Sequence, residues 1–166
     1  MGAAAKRARA APVIDMMVDS PLWAREPAAE ETVRQAIAAA AAGSDAPAGT
    51  EVSVMLADDA AVRALNARWR GQDKPTNVLS FPSASSGNSG MLGDIAIAYE
   101  TTAREAQAEG KLFTDHLAHL AVHGFLHLLG YDHASDDEAE SMECLERVIL
   151  AQLGIADPYG PQATHD

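Results

Sequence analysis

Residues 112–133, LFTDHLAHLAVHGFLHLLGYDH, decide how this chain of 166 residues folds. Residues 112–129 contain no proline and are mostly apolar around the whole circumference of a helix, which predicts a helix that the rest of the chain buries. Gly130 is placed to end that helix in a left-handed turn. The sequence therefore predicts a buried helix that is followed directly by a change of chain direction.

Four short segments rich in Val, Ile and Met predict β-strands, at residues 12–19, 50–57, 76–81 and 93–99. Segments without strong breakers predict four further helices, at residues 27–42, from 58 or 59 to 71, from 101 or 102 to 110, and at 136–153. The elements come in runs rather than in strict alternation. This order predicts an α+β fold: a single domain whose small mixed four-stranded sheet is packed with four to five helices.

The domain is predicted to span residues 13–154, between a disordered tail at residues 1–12 and a frayed tail at residues 155–166. The Ser- and Gly-rich residues 83–90 predict a flexible loop. In the helix that ends at Gly71, the side chains of Val62, Leu65 and Trp69 share one stripe, and we expect all three to face the core.

The composition excludes several classes of protein. The net charge is −12, and no apolar run reaches the ~18 residues that a membrane span needs. Cys144 is the only cysteine, which excludes an internal disulfide and a cysteine-based zinc site. These features favour a reducing compartment, and we predict a cytoplasmic protein.

One stretch of this acidic chain is basic. Residues 61–81 carry a net charge of +3, from Arg63, Arg68, Arg70 and Lys74 against Asp73. An acidic protein is a poor general binder of nucleic acid, but a local cluster of cations can hold a phosphate chain. The alternative interpretation is an ordinary solvated helix face, and the charges alone leave both open.

Three histidines predict a metal site at the end of the buried helix. His123 and His127 are four residues apart, so their Cβ atoms lie ~5–6 Å apart on one helix face. The turn at Gly130 lets His133 approach the same ion from outside the helix. Zinc suits three imidazoles, although nickel, copper and iron also accept them. Three neutral ligands leave one coordination position open, which is typical of a catalytic zinc site.

The other histidines fit this site less well. His119 lies eight residues before His127, about 12 Å along the helix axis, so one ion cannot bind both. We predict that His119 supports the site indirectly or contacts phosphate, and that His116 is a surface residue. Asp132 either orients a ligand imidazole, moves a proton or is a plain turn residue, and His165 is expected to have no role.

The spacing of the three histidines around the glycine is also that of metzincin metalloproteases. Those enzymes place a glutamate directly after the first histidine, as the general base of peptide hydrolysis. Here that position is Gly124. Because glycine cannot transfer a proton, the sequence disfavours a protease.

The stretch HGFLHLLGYDH (123–133) resembles the signature of the YbeY family of bacterial endoribonucleases that mature rRNA. Two further blocks in the same order are similar to that family: LNARWRGQDKPTNVLSFP (65–82) and LGDIAIA (92–98). From about Val13 to Gly154, the order of elements fits a complete domain of the family.

This resemblance implies a small α+β domain with one zinc ion bound by His123, His127 and His133, and a functional arginine at Arg70. It implies cleavage of single-stranded RNA in the maturation of the small-subunit rRNA 3′ end and in ribosome quality control. The small ribosomal subunit and its assembly proteins are the implied partners. The family usually has an aspartate where this chain has Asn77, so a catalytic role of that carboxylate would be missing here.

Three functions remain open from the sequence. The one we favour is a zinc-dependent endoribonuclease in which Arg70 clamps phosphate oxygens beside the metal. The second is a ribosome-assembly factor with a mainly structural zinc, which the change at Asn77 keeps open. The third, disfavoured by Gly124, is a metalloprotease or another metallohydrolase. The sequence leaves open whether water or a ribose 2′-hydroxyl is the nucleophile, and it predicts no oligomeric state.

Overall fold

The structure of the protein, a computed structural model, describes residues 11–83 and 90–159. Residues 1–10 of the predicted N-terminal tail and residues 84–89 of the predicted loop lie outside these ranges. Within them, no helix is both long enough and apolar enough to cross a membrane.

In the part of the chain that the structure describes, four strands and five α-helices make up the domain, and the predicted α+β class is confirmed. The strands are β1 (Val13–Val18), β2 (Glu51–Ala57), β3 (Val78–Pro82) and β4 (Met91–Ala98). The helices are α1 (Ala29–Ala42), α2 (Asp59–Arg70), α3 (Tyr99–Ala108), α4 (Phe113–Leu128) and α5 (Asp136–Gln152), with a short 3₁₀ helix at Pro21–Arg25 that the sequence does not predict. The observed boundaries of the predicted elements lie within three residues of the predicted ones.

The four strands form one mixed sheet in the order β1-β2-β4-β3. β1, β2 and β4 run parallel to one another, and β3 runs antiparallel to β4. Parallel neighbours need a crossover connection, which α1 supplies between β1 and β2. β3 forms one edge of this sheet, and a cleft lies beside that edge.

The buried helix predicted from residues 112–129 is α4. It packs against α1, α3 and α5 and against strands β3 and β4. Its Leu117, Phe125 and Leu126 are fully buried, in one core with Val54 and Ile97 of the sheet. A helix that is apolar on most sides has to be surrounded by other elements, and this packing holds the end of α4 against β3.

The opposite face of the sheet carries a smaller core, in which Val62 of α2 packs with Leu79 and Ala96. Leu65 is partly buried against this cluster. Trp69 is 62% exposed, so the prediction that it lies on the buried stripe is wrong. Trp69 instead lines an open groove over this face of the sheet.

The folded domain continues past Gly154. The Ile155 N–H donates to the Leu150 carbonyl (2.9 Å), which turns the chain back, and the Ile155 side chain packs against the main core. Tyr159 contacts side chains of α4 and α5. Residues 155–159 are therefore part of the domain, although the sequence predicts a frayed tail there. Residues 160–166, with His165, lie outside the described part of the chain.

Candidate metal centre

The three histidines that the sequence singled out lie together at the C-terminal end of α4. His123 and His127 occupy consecutive turns, and their Nε2 atoms are 3.1 Å apart. The ring centroid of His133 lies 5.8 Å from that of His123 and 5.1 Å from that of His127. One ring nitrogen of each histidine lies within 4.8 Å of the other two. The structure thus brings the three imidazoles to one point.

The turn at Gly130 positions His133. Gly130 has a φ of 105°, which residues with a side chain rarely adopt. Its N–H donates to the His127 carbonyl (3.0 Å), and the Tyr131 N–H donates to the carbonyl five residues earlier (3.1 Å), a pattern that ends helices. The Asp132 carboxylate accepts the N–H of His133 (2.8 Å). This contact is typical of a turn residue, which is one of the roles considered for Asp132.

A buried carboxylate that the sequence analysis missed orients His123. Glu146 of α5 is fully buried, and its Oε2 accepts a hydrogen bond from Nδ1 of His123 (2.7 Å). This bond assigns the proton of His123 to Nδ1 and leaves the lone pair of Nε2, which faces His127, available to an ion. Metal-binding histidines in proteins commonly donate their other ring N–H to a carboxylate in this way.

Glu146 also accepts hydrogen bonds from two further groups. Its Oε1 accepts from Nε2 of His119 (2.9 Å) and from the hydroxyl of Tyr159 (2.6 Å). Burial raises the pKa of Glu146, but the hydrogen bonds from His119, His123 and Tyr159 outweigh it and lower the pKa to about 2. Burial and the hydrogen bond to Glu146 raise the pKa of Tyr159, so the phenol keeps its proton and donates it. Glu146 is therefore an anion held by three donors.

His119, His123 and Glu146 also lie close enough together to hold an ion. Hydrogen bonds of 2.7 and 2.9 Å from the two imidazoles to the carboxylate already account for this proximity. The predicted three-histidine group instead has its ring nitrogens beside a cleft. His119 thus contacts Glu146, which in turn contacts His123. This geometry is compatible with the indirect role predicted for His119.

Arg70 and the three histidines line one cleft of about 610 Å³ beside β3. Arg70 is exposed, its Nη2 donates to the Ser80 carbonyl, and its guanidinium lies 5.3 Å from the ring centroid of Phe81. Ser80 donates through Oγ to the Gly124 carbonyl (2.8 Å). The residue that anchors Arg70 is thus bonded to the turn of α4 that carries His123.

The family model described as Endoribonuclease YbeY matches residues 19–154 of this chain. The chain belongs to the YbeY family. A relative named Endoribonuclease YbeY from Rhodopseudomonas palustris (strain BisA53) is 59% identical over 162 residues, which cover 93% of this chain and 94% of the relative. Relatives with the same name from Nitrobacter winogradskyi and Bradyrhizobium diazoefficiens are 57% and 56% identical, over 92% and 93% of this chain and 84% and 89% of their own length.

A solution structure of a Thermotoga maritima protein is also similar to this chain. The two are 24% identical, with a TM-score of 0.48, over 90% of this chain and 100% of the other. This likeness is weaker than the sequence match to the YbeY family and adds nothing to the assignment of the site.

The other cations of the predicted basic cluster do not line the cleft that Arg70 shares with the histidines. Arg63 pairs with Asp73 at the surface (2.8 Å), and the guanidinium of Arg68 lies 5.0 Å from the ring centroid of Trp69. Among the residues that the structure describes, Arg70 is therefore the one cation of that cluster beside the three histidines.

Gly124 stands where α4 makes its close approach to the sheet. A Cβ atom on Gly124 would lie 3.1 Å from Oγ of Ser80 and 3.2 Å from Cγ2 of Ile95. A side chain there, such as the glutamate of the metzincins, would need Ser80 and Ile95 to give way by a few tenths of an ångström. The close packing of this YbeY-family domain thus favours the glycine over the glutamate of the proteases.

His116 is 5% exposed, so the prediction that it is a surface residue is wrong. Its Nε2 lies 2.8 Å from Oε1 of Glu105 on α3, and Nδ2 of Asn77 donates to the same oxygen (2.9 Å). The aspartate usual in the YbeY family would have no N–H to donate here. In this chain, the side-chain amide of Asn77 therefore supplies the N–H donor that the Glu105 carboxylate accepts.

The donor set fits a zinc ion. Burial and the nearby charges of His123 and His133 lower the pKa of His127, which favours the neutral imidazole that metals bind. Glu146 holds His123 in the tautomer whose Nε2 faces the other rings. Three imidazole nitrogens with a carboxylate behind one of them are a common arrangement at catalytic zinc sites.

Proposed function

We propose that this protein is a zinc-dependent endoribonuclease that cleaves single-stranded RNA during maturation of the small-subunit rRNA 3′ end and in ribosome quality control. The observation that carries the proposal is the shared cleft, where three imidazoles lie beside one exposed guanidinium. The name Endoribonuclease YbeY, carried by the family and by the relatives, supports the same reaction. We propose the cytoplasm as its location, and the small ribosomal subunit and its assembly proteins as partners.

His123, His127 and His133 would hold one zinc ion. A zinc ion bound there would supply a Lewis acid for the phosphodiester and activate the attacking nucleophile. Because Glu146 already holds the ring of His123 (2.7 Å), little reorganisation is needed when an ion binds. Groups that are placed before the reaction stabilise developing charge more effectively than groups that must move.

Arg70 would bind the phosphate oxygens of the RNA strand. The hydrogen bond to the Ser80 carbonyl fixes the plane of its guanidinium, and a guanidinium has five N–H groups in all. A planar guanidinium can contact two phosphate oxygens at once and stabilise negative charge at phosphorus. Since the chain carries a net charge of −12, contacts with an RNA strand should concentrate at this cation.

The partial burial of His123 and His127 favours an unpaired strand as the substrate. The side chain of His123 is 23% exposed, and it lines the cleft together with the exposed His133. A single strand can turn one phosphodiester into such a cleft, whereas the phosphates of a duplex are held in a stiff helix.

The experiment that tests the proposal is incubation of the purified protein with small-subunit rRNA, with and without a chelator. We expect cleavage that the chelator abolishes and added zinc restores. Cleavage at the full rate after complete removal of metal would contradict a metal-dependent reaction.

Arg70 variants test the proposed phosphate contact of the guanidinium. Arg70→Ala should keep its zinc and its melting temperature within a few degrees, because an exposed charged contact contributes under about 1 kcal/mol, and it should lose most RNA cleavage. Arg70→Lys should recover only part, because an ammonium cannot make the two-pronged contact. Arg63→Ala is the matched control, since Arg63 is on the same helix but pairs with Asp73. Full activity in Arg70→Ala would show that the cation is only a solvated group.

The two other functions considered receive less support. A structural zinc is normally closed by four protein ligands, whereas the three imidazoles here line an open cleft. A protease lacks its general base at Gly124, where the close packing against Ser80 also favours a glycine. Binding to ribosomal subunits without RNA cleavage would favour the assembly factor, and hydrolysis of unfolded protein substrates would favour the protease.

A further inference from the structure

Tyr159 lies beyond the last helix, yet it reaches the hydrogen-bond network behind the three histidines. Its hydroxyl lies 2.6 Å from Oε1 of the fully buried Glu146. The same hydroxyl is 3.1 Å from Nε2 of His119, and the two rings meet edge to face with centroids 5.4 Å apart. A residue of the C-terminal segment thus completes the surroundings of a buried carboxylate.

Two contacts with the Asp157 carboxylate hold this segment in place. This carboxylate accepts hydrogen bonds from the backbone N–H of Tyr159 (2.8 Å) and from the Nε–H of Arg147 (3.2 Å). The guanidinium of Arg147 also lies 5.6 Å from the ring centroid of Tyr159. Arg147 follows Glu146 directly on α5, so the segment is attached to the same helical turn that supplies the carboxylate.

The two carboxylate oxygens of Glu146 accept hydrogen bonds from different groups. Oε1 accepts from Tyr159 and His119, and Oε2 accepts from Nδ1 of His123. Because a carboxylate is planar and rigid, a donor that fixes one oxygen also fixes the direction of the other. The partner of a ligand imidazole sets the orientation of that ring and its strength as a ligand.

We propose that residues 157–159 are a positioning element of the metal centre: the Tyr159 hydroxyl fixes the Glu146 carboxylate, and this carboxylate fixes the ring of His123. The inference rests on the proposed function, because it concerns the ion that the three histidines would hold. Tyr159 is a positioning residue and not a catalytic one, since it acts through Glu146.

The variant Tyr159→Phe tests this role, because it removes the hydroxyl and keeps the ring that packs on His119. The measurement is zinc titration of the full-length, chelator-treated protein in competition with a chromophoric chelator. Loss of a group that orients a ligand weakens metal binding by roughly 10–100-fold. Tyr159 acts one hydrogen bond further away, so we expect roughly a 3- to 10-fold loss of zinc affinity with the stoichiometry unchanged.

Two further variants and a spectrum make the result specific. Asp157→Asn weakens the anchor to Arg147 and should cause a smaller loss of zinc affinity than Tyr159→Phe. Tyr99→Phe is the matched control, because Tyr99 packs against Trp23 and Phe113 in the aromatic part of the core. It should bind zinc like the wild type. The visible absorption of the cobalt-substituted protein should change in Tyr159→Phe and not in Tyr99→Phe, since it reports the arrangement of the ligands.

Three outcomes would overturn the inference, and they can be told apart. Wild-type zinc affinity and an unchanged cobalt spectrum in Tyr159→Phe would remove the positioning role and leave the proposed function intact. A lower melting temperature of the metal-free variant with unchanged zinc affinity would show that Tyr159 only holds the fold. If the wild type bound no zinc at all, the proposed function would fail and the positioning role with it. A wild type that bound zinc without cleaving RNA would contradict the proposed function alone.

Discussion

The two halves of α4 carry the same residue type in two different environments. In the first half, His116 and His119 each bond through Nε2 to a carboxylate, on α3 and α5 respectively. In the second half, His123 bonds to a carboxylate through Nδ1 and turns its Nε2 toward His127. The spacing along the helix is almost the same in both halves, so spacing alone does not separate a structural histidine from a predicted ligand.

What separates the two halves is the element that packs over each turn. Glu105 of α3 and Tyr159 of the C-terminal segment cover the first half, and the His119 side chain is only 13% exposed. The chain leaves the second half at Gly130 and returns with His133, so a cleft remains there. We therefore predict that the ion binds those histidines of α4 whose second nitrogen meets this cleft. Four substitutions test the comparison by their effect on metal binding.

The largest effect is expected from His127→Ala, which removes one of the three predicted ligands. Zinc content should fall from one per chain to almost none, and RNA cleavage should be lost with it. The metal-free variant should melt within a few degrees of the metal-free wild type, because surface-facing substitutions cost little. Metal analysis after gel filtration decides this, and an undiminished zinc content would remove His127 from the site. His123→Ala should lose zinc and RNA cleavage in the same way, but its metal-free form should also be less stable, because the buried Glu146 loses a hydrogen-bond donor.

Glu146→Gln is expected to have the next largest effect. In this variant, an amide N–H group would face one or more of the donors that now bond to a carboxylate oxygen of Glu146. Because His123 then loses its fixed partner, zinc affinity should fall roughly 10–100-fold. The metal-free protein should also lose about 1–3 kcal/mol of unfolding free energy, because buried donors lose their acceptor. Zinc competition and urea unfolding measure the two effects separately. Wild-type zinc affinity would mean that His123 needs no partner.

His119→Ala should have a small effect on metal binding. The variant keeps His123, His127 and His133 and removes one of the donors to Glu146, so we expect roughly a 2- to 5-fold loss of zinc affinity, below that of an ion-orienting group. Zinc titration measures it. Complete loss of zinc would show that the ion is held by His119, His123 and Glu146 instead, which would reverse the comparison between the two halves of α4.

His116→Ala should leave zinc affinity and RNA cleavage unchanged. His116 is buried beside Glu105, so its removal leaves a cavity and takes a partner from that carboxylate. The free energy of unfolding should fall by about 1–3 kcal/mol. Urea unfolding of the metal-free protein, measured beside zinc titration, checks both statements. A clear loss of zinc affinity would show that the first half of α4 also belongs to the metal centre.

Local pattern was enough to predict the helices, the strands and the three histidines. Helical periodicity spans many residues in α4, and the predicted ligands are close together in the chain, with Gly130 marking the turn between them. Glu146 was missed because it stands in an acidic helix where a glutamate is expected to be solvated. One signal was present: Met142, Glu146 and Ile149 share a face of α5, and both hydrophobic members are buried.

Long-range packing explains the remaining errors. Trp69 continues the apolar stripe of α2, but its side chain lies at an open surface groove and stays exposed. His116 is buried because Glu105 comes to it from another helix, eleven residues earlier. Tyr159 follows the irregular stretch GIADP (154–158), whose pattern does not indicate a contact with Glu146.

The α+β class, the element boundaries to within three residues, the grouping of the three histidines and the family could all be predicted from the amino-acid sequence. These depend on local patterns, such as helical spacing and a helix-ending glycine. The folded structure was needed to show that Glu146 contacts His123, that Arg70 alone of the basic cluster lines the cleft, and that Tyr159 reaches the same carboxylate. Segments far apart in the chain bring these groups together, so their meeting depends on how the helices pack around the sheet.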